Sequence, residues 1–458
     1  MRLPATNALY CVGILTLLLG LSCIDIGHNW SDDFALYLQQ TQALWEGNTE
    51  DLLKANYFAM EHSYAHVGPY LYPNGFPILL LPIYLIFGLN FWVLKVYCLL
   101  FLIASIPFIY AIFKQFGCST PKALAITFLV VINYHFIRFS DHILSDLPFF
   151  FFSLWSYYHL QRQQYNSYFQ SIFLGILIFF TYNIRDIGIV LLPCLFAYQW
   201  QQFKTAKKAS LGIYLLPYIS FVCLWLMRWY WSPSVSTKQL SLLSETSLDI
   251  IINNFYYYFL LVGNYFLIFR NIPTSIALVV ACFFSSLILL GIYQKGNAHL
   301  PLLVYLGGTI SICLIWVSFQ GMRFLFPVLP FLIYFLLEGI KGLPIAPKFQ
   351  KYIIIGLLLS SLSQSLLTSY YYWQKDTNEA YSIELQQIYQ YIKNNTPKEA
   401  IIVFYKPRAL RLFTQRNAVQ KDISTAHYNL KKRTHSLLPT DSILLKTEHY
   451  ILTYKKTR

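Results

Sequence analysis

The chain alternates long apolar runs with short polar connectors. Crossing a hydrocarbon core as a helix takes about 20 apolar residues. Runs of that order occupy Ala8–Ile24, Leu89–Phe113, Ala123–Ile137, Ile143–Leu160, Ala209–Trp229, Ser275–Tyr293, Leu300–Phe319, Phe324–Leu337 and Tyr352–Tyr370. Tyr168–Tyr182 and Ile187–Trp200 are shorter, and read as two spans or one re-entrant hairpin around Arg185-Asp186. The pattern predicts about eleven spans. Asn253–Arg270 is aromatic-rich and bounded by polar residues, so it reads as interfacial. The first run has no A-x-A-like cleavage site and reads as a retained anchor.

Two stretches break this rhythm. Residues 25–88 form a long loop after the first run. In it Phe34, Tyr37, Leu38, Thr41, Leu44 and Trp45 follow helical spacing, which predicts an amphipathic helix over Asp32–Trp45 lying on the membrane. Pro77–Phe87 is apolar but too short to span, and predicts a second interfacial or re-entrant helix. Beyond residue 372 the apolar runs stop. Ser382–Asn394 reads as a helix with Ile383, Ile388, Tyr391 and Ile392 as its apolar face, Ala400–Tyr405 as a strand, Arg408–Phe413 as a short helix, and Ser442–Tyr454 as one or two strands. The expected fold is an all-α polytopic membrane domain over residues 1–372, with interfacial helices in the first outer loop. A small α/β module follows over 373–458.

Composition narrows the class. Only 12% of the 458 residues are charged and 56% are hydrophobic, about half the charge of an average soluble protein. That excludes a soluble multidomain enzyme. The 18% aromatic content excludes disorder. The net charge of +14 at first admits nucleic acid as a partner, but its distribution gives a topology instead. With Arg2 inside, Lys114, Lys122, Arg162, Lys204, Lys207, Lys208, Lys295, Lys341, Lys348 and Lys351 all fall on the cytoplasmic side, as positive-inside requires. The outer face then mixes carboxylates with Arg138, Arg185, Arg228, Arg270 and Arg323. An odd span count puts the tail outside too. The eight cysteines sit in or beside apolar runs with no C-x-x-C spacing, so neither a disulfide framework nor a zinc site is indicated.

Chemistry concentrates at the outer helix ends. Asp32-Asp33 opens the amphipathic helix. Acids there complement the helix dipole, with Ser31 as cap, or one of them serves as a general base at the water–lipid boundary. Adjacent helix residues point about 100° apart, so Asp32 is taken as the base and Asp33 as support. Asp141 and Asp146, near Arg138 and His142, read as a solvated turn or as a second carboxylate cluster. Arg185 and Arg323 are the best phosphate ligands, because the planar guanidinium donates two parallel hydrogen bonds; as single residues they also read as snorkelling anchors. Lys95 reads as a snorkelling lysine without a role. His62 and His66 have metal-ligand spacing but no clear third ligand. No nucleotide-binding, hydride-transfer or serine-hydrolase motif occurs.

In order along the chain, several short stretches together resemble the polytopic glycosyltransferases of the GT-C superfamily, which includes protein O-mannosyltransferases and the lipid A aminoarabinose transferase. They are Asp32-Asp33-Phe34-Ala35-Leu36-Tyr37, Tyr72-Pro73-Asn74-Gly75-Phe76-Pro77, Ser145-Asp146, Arg185-Asp186-Ile187-Gly188, Arg323-Phe324-Leu325-Phe326-Pro327, Thr396-Pro397-Lys398-Glu399-Ala400 and Lys406-Pro407-Arg408. The resemblance implies a sugar carried on a polyprenyl phosphate and an acceptor lipid, glycan or protein. It implies transfer with inversion on the outer face of a membrane, such as a bacterial inner membrane, with Asp32 deprotonating the acceptor hydroxyl. Arginines would meet the departing phosphate, and the carboxylate cluster could orient sugar hydroxyls or an ion, so the expected substrate- and phosphate-binding residues are Arg138, Asp141, Asp146, Arg185 and Arg323. The pair is Asp-Asp where some members have Asp-Glu. No Asp-x-Asp element occurs in the first loop, so a divalent metal is not supported. A polysaccharide polymerase or ligase, or a lipid-carrier flippase, would share the outer arginines; a flippase would also want ionisable residues mid-span.

Overall fold

The computed structural model describes residues 5–29, 32–64, 69–162, 167–205, 211–231, 246–267, 273–374, 380–433 and 442–455. Its helices are α1 Ala5–Cys23, α2 Asp32–Glu46, α3 Thr49–Glu61, α4 Gly75–Phe87, α5 Phe91–Gln115, α6 Thr120–Val131, α7 Tyr134–Phe139, α8 Asp146–Arg162, α9 Tyr168–Ile184, α10 Leu191–Thr205, α11 Leu211–Trp231, α12 Leu248–Asn264, α13 Thr274–Lys295, α14 Leu300–Ile315, α15 Leu329–Lys341, α16 Pro347–Gln374, α17 Ile383–Asn395 and α18 Pro407–Thr414. Five strands follow one another in the tail: β1 Ile401–Val403, β2 Asn417–Val419, β3 Tyr428–Lys432, β4 Ser442–Lys446 and β5 Tyr450–Tyr454. Among the described residues five helices (α1, α5, most of α11, α13 and α16) are long and apolar enough to cross a membrane, and four shorter ones (α4, α6, α9 and α14) are apolar. The chain is a polytopic helical membrane protein with a small C-terminal sheet.

The chain forms two compact units. One comprises residues 1–24, 95–141 and 145–375; the other comprises 25–94, 142–144 and 376–458. The long first loop therefore groups with the tail, which its sequence position does not suggest.

The membrane unit departs from the apolar pattern around Asn133. The run over Ala123–Ile137 is not one helix. It breaks after Ile132, where Asn133 is extended and its side chain accepts from the His135 N–H, starting α7 afresh. A side-chain oxygen that satisfies a free N–H competes with continuation of the helix. The break between α9 and α10 falls at Arg185-Asp186, between the two short apolar runs of the sequence. Arg185 is extended, and Asp186–Val190 forms a 3₁₀ turn.

Glycine sets the approach of α13 to α15. A methyl on Gly291 would lie 2.7 Å from the Phe335 carbonyl carbon, and one on Gly339 would lie 2.8 Å from that of Leu287. Each clash is with backbone, which cannot rotate away. Gly291→Ala is expected to force the pair apart and destabilise the protein by about 1–3 kcal/mol, read as a lower melting midpoint in detergent. An unchanged midpoint would show that the two helices can separate freely.

In the second unit the sheet order is β2-β1-β3-β5-β4, with β2, β1 and β3 parallel and β3, β5 and β4 antiparallel. Helix α17 covers it through Leu385, Ile388, Tyr389 and Ile392. Ile383, expected on that face, is exposed. Ser382 caps α17 at the Leu385 N–H, and the i, i+3, i+4, i+7 series counted from Leu385 selects Tyr389 instead. Helix α3 was not anticipated. It carries Glu50 and Asp51 in its first turn and buries Leu52, Asn56 and Ala59.

Candidate active site

Helix α2 begins at Asp32, as the apolar spacing predicts, but its middle is not one-sided. Residues Phe34 to Thr41 are all buried, Gln39 and Gln40 included, while Trp45 is exposed. The buried amides are anchors. Gln40 holds both the N–H and the carbonyl of Tyr72, each at 2.8 Å. Gln39 donates to the Arg408 carbonyl at 2.7 Å. The Tyr37 ring stacks on Tyr72 at 4.4 Å between centroids, and the Tyr72 hydroxyl donates to Asp33 Oδ1 at 2.8 Å.

The two acids are thus treated differently. Asp33 is held by Tyr72. Asp32 Oδ1 is buried without a hydrogen-bond partner among the described residues. Burial pushes the Asp32 carboxyl up to about 6; Lys406 and Arg408 oppose the rise and Asp33 adds to it. The proposed cap, Ser31, lies outside the described residues.

The tail reaches the first loop through main chain. The Gln420 and Lys421 N–H groups both donate to the His62 carbonyl, at 3.1 and 2.8 Å, and Ala380 N–H donates to the His28 carbonyl at 2.9 Å. His28 is fully buried and stacks on Phe34 at 3.9 Å. Its Nδ1 lies 3.0 Å from the Asn29 carbonyl and its Nε2 accepts from Ile143 N–H, which fits a single neutral tautomer. This fixes the chain at His28 and Asn29, a few residues ahead of Asp32. His62 packs its ring on Phe58, and His66 lies outside the described residues. No cluster of metal-ligating side chains occurs among the described residues.

The remaining predicted site residues belong to the membrane unit. Asp141 and Asp146 do not form a solvated turn, since both are buried. Asp141 accepts from Lys95 Nζ at 2.5 Å, and Lys95 is wholly buried. The snorkelling reading of Lys95 is therefore wrong: the ammonium is neutralised by a carboxylate and does not reach for water. Asp146 pairs with Arg185. The Arg185 guanidinium lies 4.6 Å over the Phe324 ring and that of Arg323 lies 5.9 Å from the same ring. The fold thus brings Arg185 and Arg323 to one aromatic side chain, though 138 positions separate them in sequence. Gly321 supplies the positive φ of 70° that turns the chain into the Met322–Leu325 3₁₀ segment bearing Arg323. Arg323 also donates to the Gln320 carbonyl at 3.1 Å. Arg228 pairs loosely with Asp186 at 3.9 Å. Arg138 lies elsewhere, 5.9 Å from the Tyr372 ring. Arg270 falls outside the described residues.

No family model and no curated protein matches this chain. Solved structures do. ArnT from Cupriavidus metallidurans bound to undecaprenyl phosphate aligns over 98% of this chain and 97% of its own, with a TM-score of 0.58 at 10% identity. The oligosaccharyltransferase AglB from Archaeoglobus fulgidus, in complex with an inhibitory peptide and a dolichol-phosphate, aligns over 93% and 69%, with a TM-score of 0.53 at 10% identity. The arabinofuranosyltransferase AftD from Mycobacteria aligns over 98% and 41%, with a TM-score of 0.54 at 12% identity. The chain has the GT-C fold. At such identities the likeness concerns the fold as a whole, including the tail.

Sequence reasoning missed Tyr72, Lys406 and Arg408 as neighbours of the Asp32–Asp33 pair. Lys406-Pro407-Arg408 was legible only as part of the tail's resemblance, with no role given to either cation. The one local signal for buried polar anchoring is Gln39-Gln40-Thr41 in the middle of an otherwise apolar helix.

Proposed function

We propose that the chain is an integral-membrane glycosyltransferase that moves a sugar from a polyprenyl-phosphate donor to an acceptor hydroxyl, with inversion and with Asp32 as general base. The observation that carries this reading is the Asp32 carboxylate, with its Oδ1 buried and unpartnered among the described residues and its pKa raised to about 6, on a GT-C fold. The acceptor O–H bond breaks as its oxygen attacks the anomeric carbon, and the proton passes to Asp32. The bond from the anomeric carbon to phosphate breaks with it, and polyprenyl phosphate departs. Charge grows on that leaving group, and fixed cations stabilise it. Arg185 and Arg323, sharing Phe324, are the proposed ligands; Asp146 orients Arg185. Arg138, over the Tyr372 ring, and Asp141, paired with Lys95, belong to the same unit and are proposed as further substrate-binding residues. The lipids bound in the ArnT and AglB structures, undecaprenyl phosphate and a dolichol-phosphate, favour a lipid-phosphate carrier here. The active site is proposed to face outward from a bacterial inner membrane, with the acceptor a lipid, glycan or protein.

The test is transfer of labelled sugar from a set of polyprenyl-phosphate donors by the purified, detergent-solubilised protein. Failure with every donor, by a folded sample, would reject the reading. A base must be ionised to accept a proton, so the rate is expected to rise about tenfold per pH unit up to a midpoint near 6 and then level off. Initial rates measured across that range check it, and a flat profile would remove Asp32 as the base.

A further inference from the structure

Strand β1 leads through Tyr405 into Lys406 and the start of α18. Lys406 occupies the N-cap position without capping the helix with its side chain, and Pro407 follows at the first turn. Arg408 is only 2% exposed, among the most buried large side chains of the protein. Its main-chain carbonyl is held by Gln39 at 2.7 Å. Gln39 lies seven residues from Asp32, close to two full turns, so both project from the same face of α2. The Arg408 guanidinium is anchored at one end, where Nη2 donates to the Pro69 carbonyl at 2.5 Å and lies 4.0 Å from Met60 Sδ. Its Nη1 is buried with no hydrogen-bond partner among the described residues, as is Asp32 Oδ1. An arginine remains charged in any protein environment, and a buried cation needs a counter-charge.

The charged groups around Asp32 can be followed element by element. Asp33 is on its own helix, and Lys406 and Arg408 come from the tail. Helix α4 has no charged residue. On α3, Lys54 and Asp51 pair with each other in solvent at 3.8 Å, and Glu50 and Glu61 are exposed. Arg411, the other cation of α18, bonds Asn417 at 2.6 Å. Among the described residues, the cations acting on Asp32 are thus Lys406 and Arg408, both borne by a segment about 375 residues downstream.

We infer that Lys406 and Arg408 are positioning residues for Asp32, so that the C-terminal module completes the catalytic apparatus rather than being appended to it. This rests on the reading of Asp32 as the base. The two cations orient the carboxylate and keep it ionised against its burial, and Pro69 and Gln39 fix Arg408 so that it cannot swing away.

The experiment uses the full-length protein in detergent and compares Lys406→Gln, Arg408→Gln and Arg408→Lys, each with and without Asp32→Asn. The difference in melting midpoint between each pair, followed across pH, isolates the Asp32 titration without any substrate. In Lys406→Gln its midpoint is expected to rise by about half a pH unit or more, roughly threefold in proton affinity. Arg408→Gln should move it in the same direction, and Arg408→Lys should return it toward wild type. Should Arg408→Gln fail to fold, Lys406→Gln decides, since Lys406 is partly exposed and makes no cap bond. An Asp32 titration unmoved in Lys406→Gln and in any folded Arg408→Gln overturns the inference. The acid limb of the rate profile should move with the melting titration. If the titration moves and the limb does not, the coupling stands and the assignment of Asp32 as base fails.

Discussion

Asp32→Asn is expected to lower sugar transfer by about 10²–10⁴-fold while raising the melting midpoint of the protein. The two effects have one cause. Burial lifts the Asp32 carboxyl from its ordinary value near 3.8 to about 6, so its ionised form is worse accommodated in the folded chain than in water. Stability from this group is fully present below pH 3.8 and is lost as pH rises through about 6. Above that, the penalty amounts to about 3 kcal/mol. Asparagine is nearly isosteric and neutral, so it removes the penalty and recovers about 1–3 kcal/mol near neutral pH. It also removes the only group at that position able to take a proton. Transfer assays and thermal melts on one preparation check both arms. Full activity in the variant would end the base assignment. A lowered midpoint would mean that the Asp32 carboxylate contributes to the fold rather than straining it.

Lys95→Met is expected to destabilise the membrane unit by about 3–5 kcal/mol, because removing one partner of a buried ion pair leaves the other charge uncompensated. Lys95 is wholly buried and Asp141 nearly so, 2.5 Å apart. The pair ties α5 to the turn that follows α7. Lys95→Met combined with Asp141→Asn should recover much of the loss, because both charges are then gone and a neutral interior often tolerates the exchange. Melting midpoints of the single and double variants, compared as a cycle, give the coupling directly. A single variant as stable as wild type would mean that water reaches Asp141 in the absence of the lysine.

Legibility in the sequence followed the range of the interactions involved. The start of α2 at Asp32 and the short apolar helix α4 were readable because apolar periodicity is local. So was α17, except that Ile383 was placed inside and Tyr389 was not, an error of where the helical count begins. The break at Asn133 was hidden, because an apolar run looks continuous until one asparagine bonds a nearby N–H. Lys95 misled for a different reason. A lysine near a helix end has the same local pattern whether it snorkels or pairs, and the partner 46 residues on decides which.

By itself the sequence determined the class of protein, the apolar helices and the pair of acids at the head of α2, because each depends on composition or on residues a few positions apart. The tertiary structure decided what those acids feel. It separated Asp33, bonded to Tyr72, from Asp32, whose Oδ1 has no partner among the described residues, brought Lys406 and Arg408 to Asp32, and set Arg185 and Arg323 against one phenylalanine. Such differences arise from desolvation and from charges distant along the chain, and neither exists until the chain is packed.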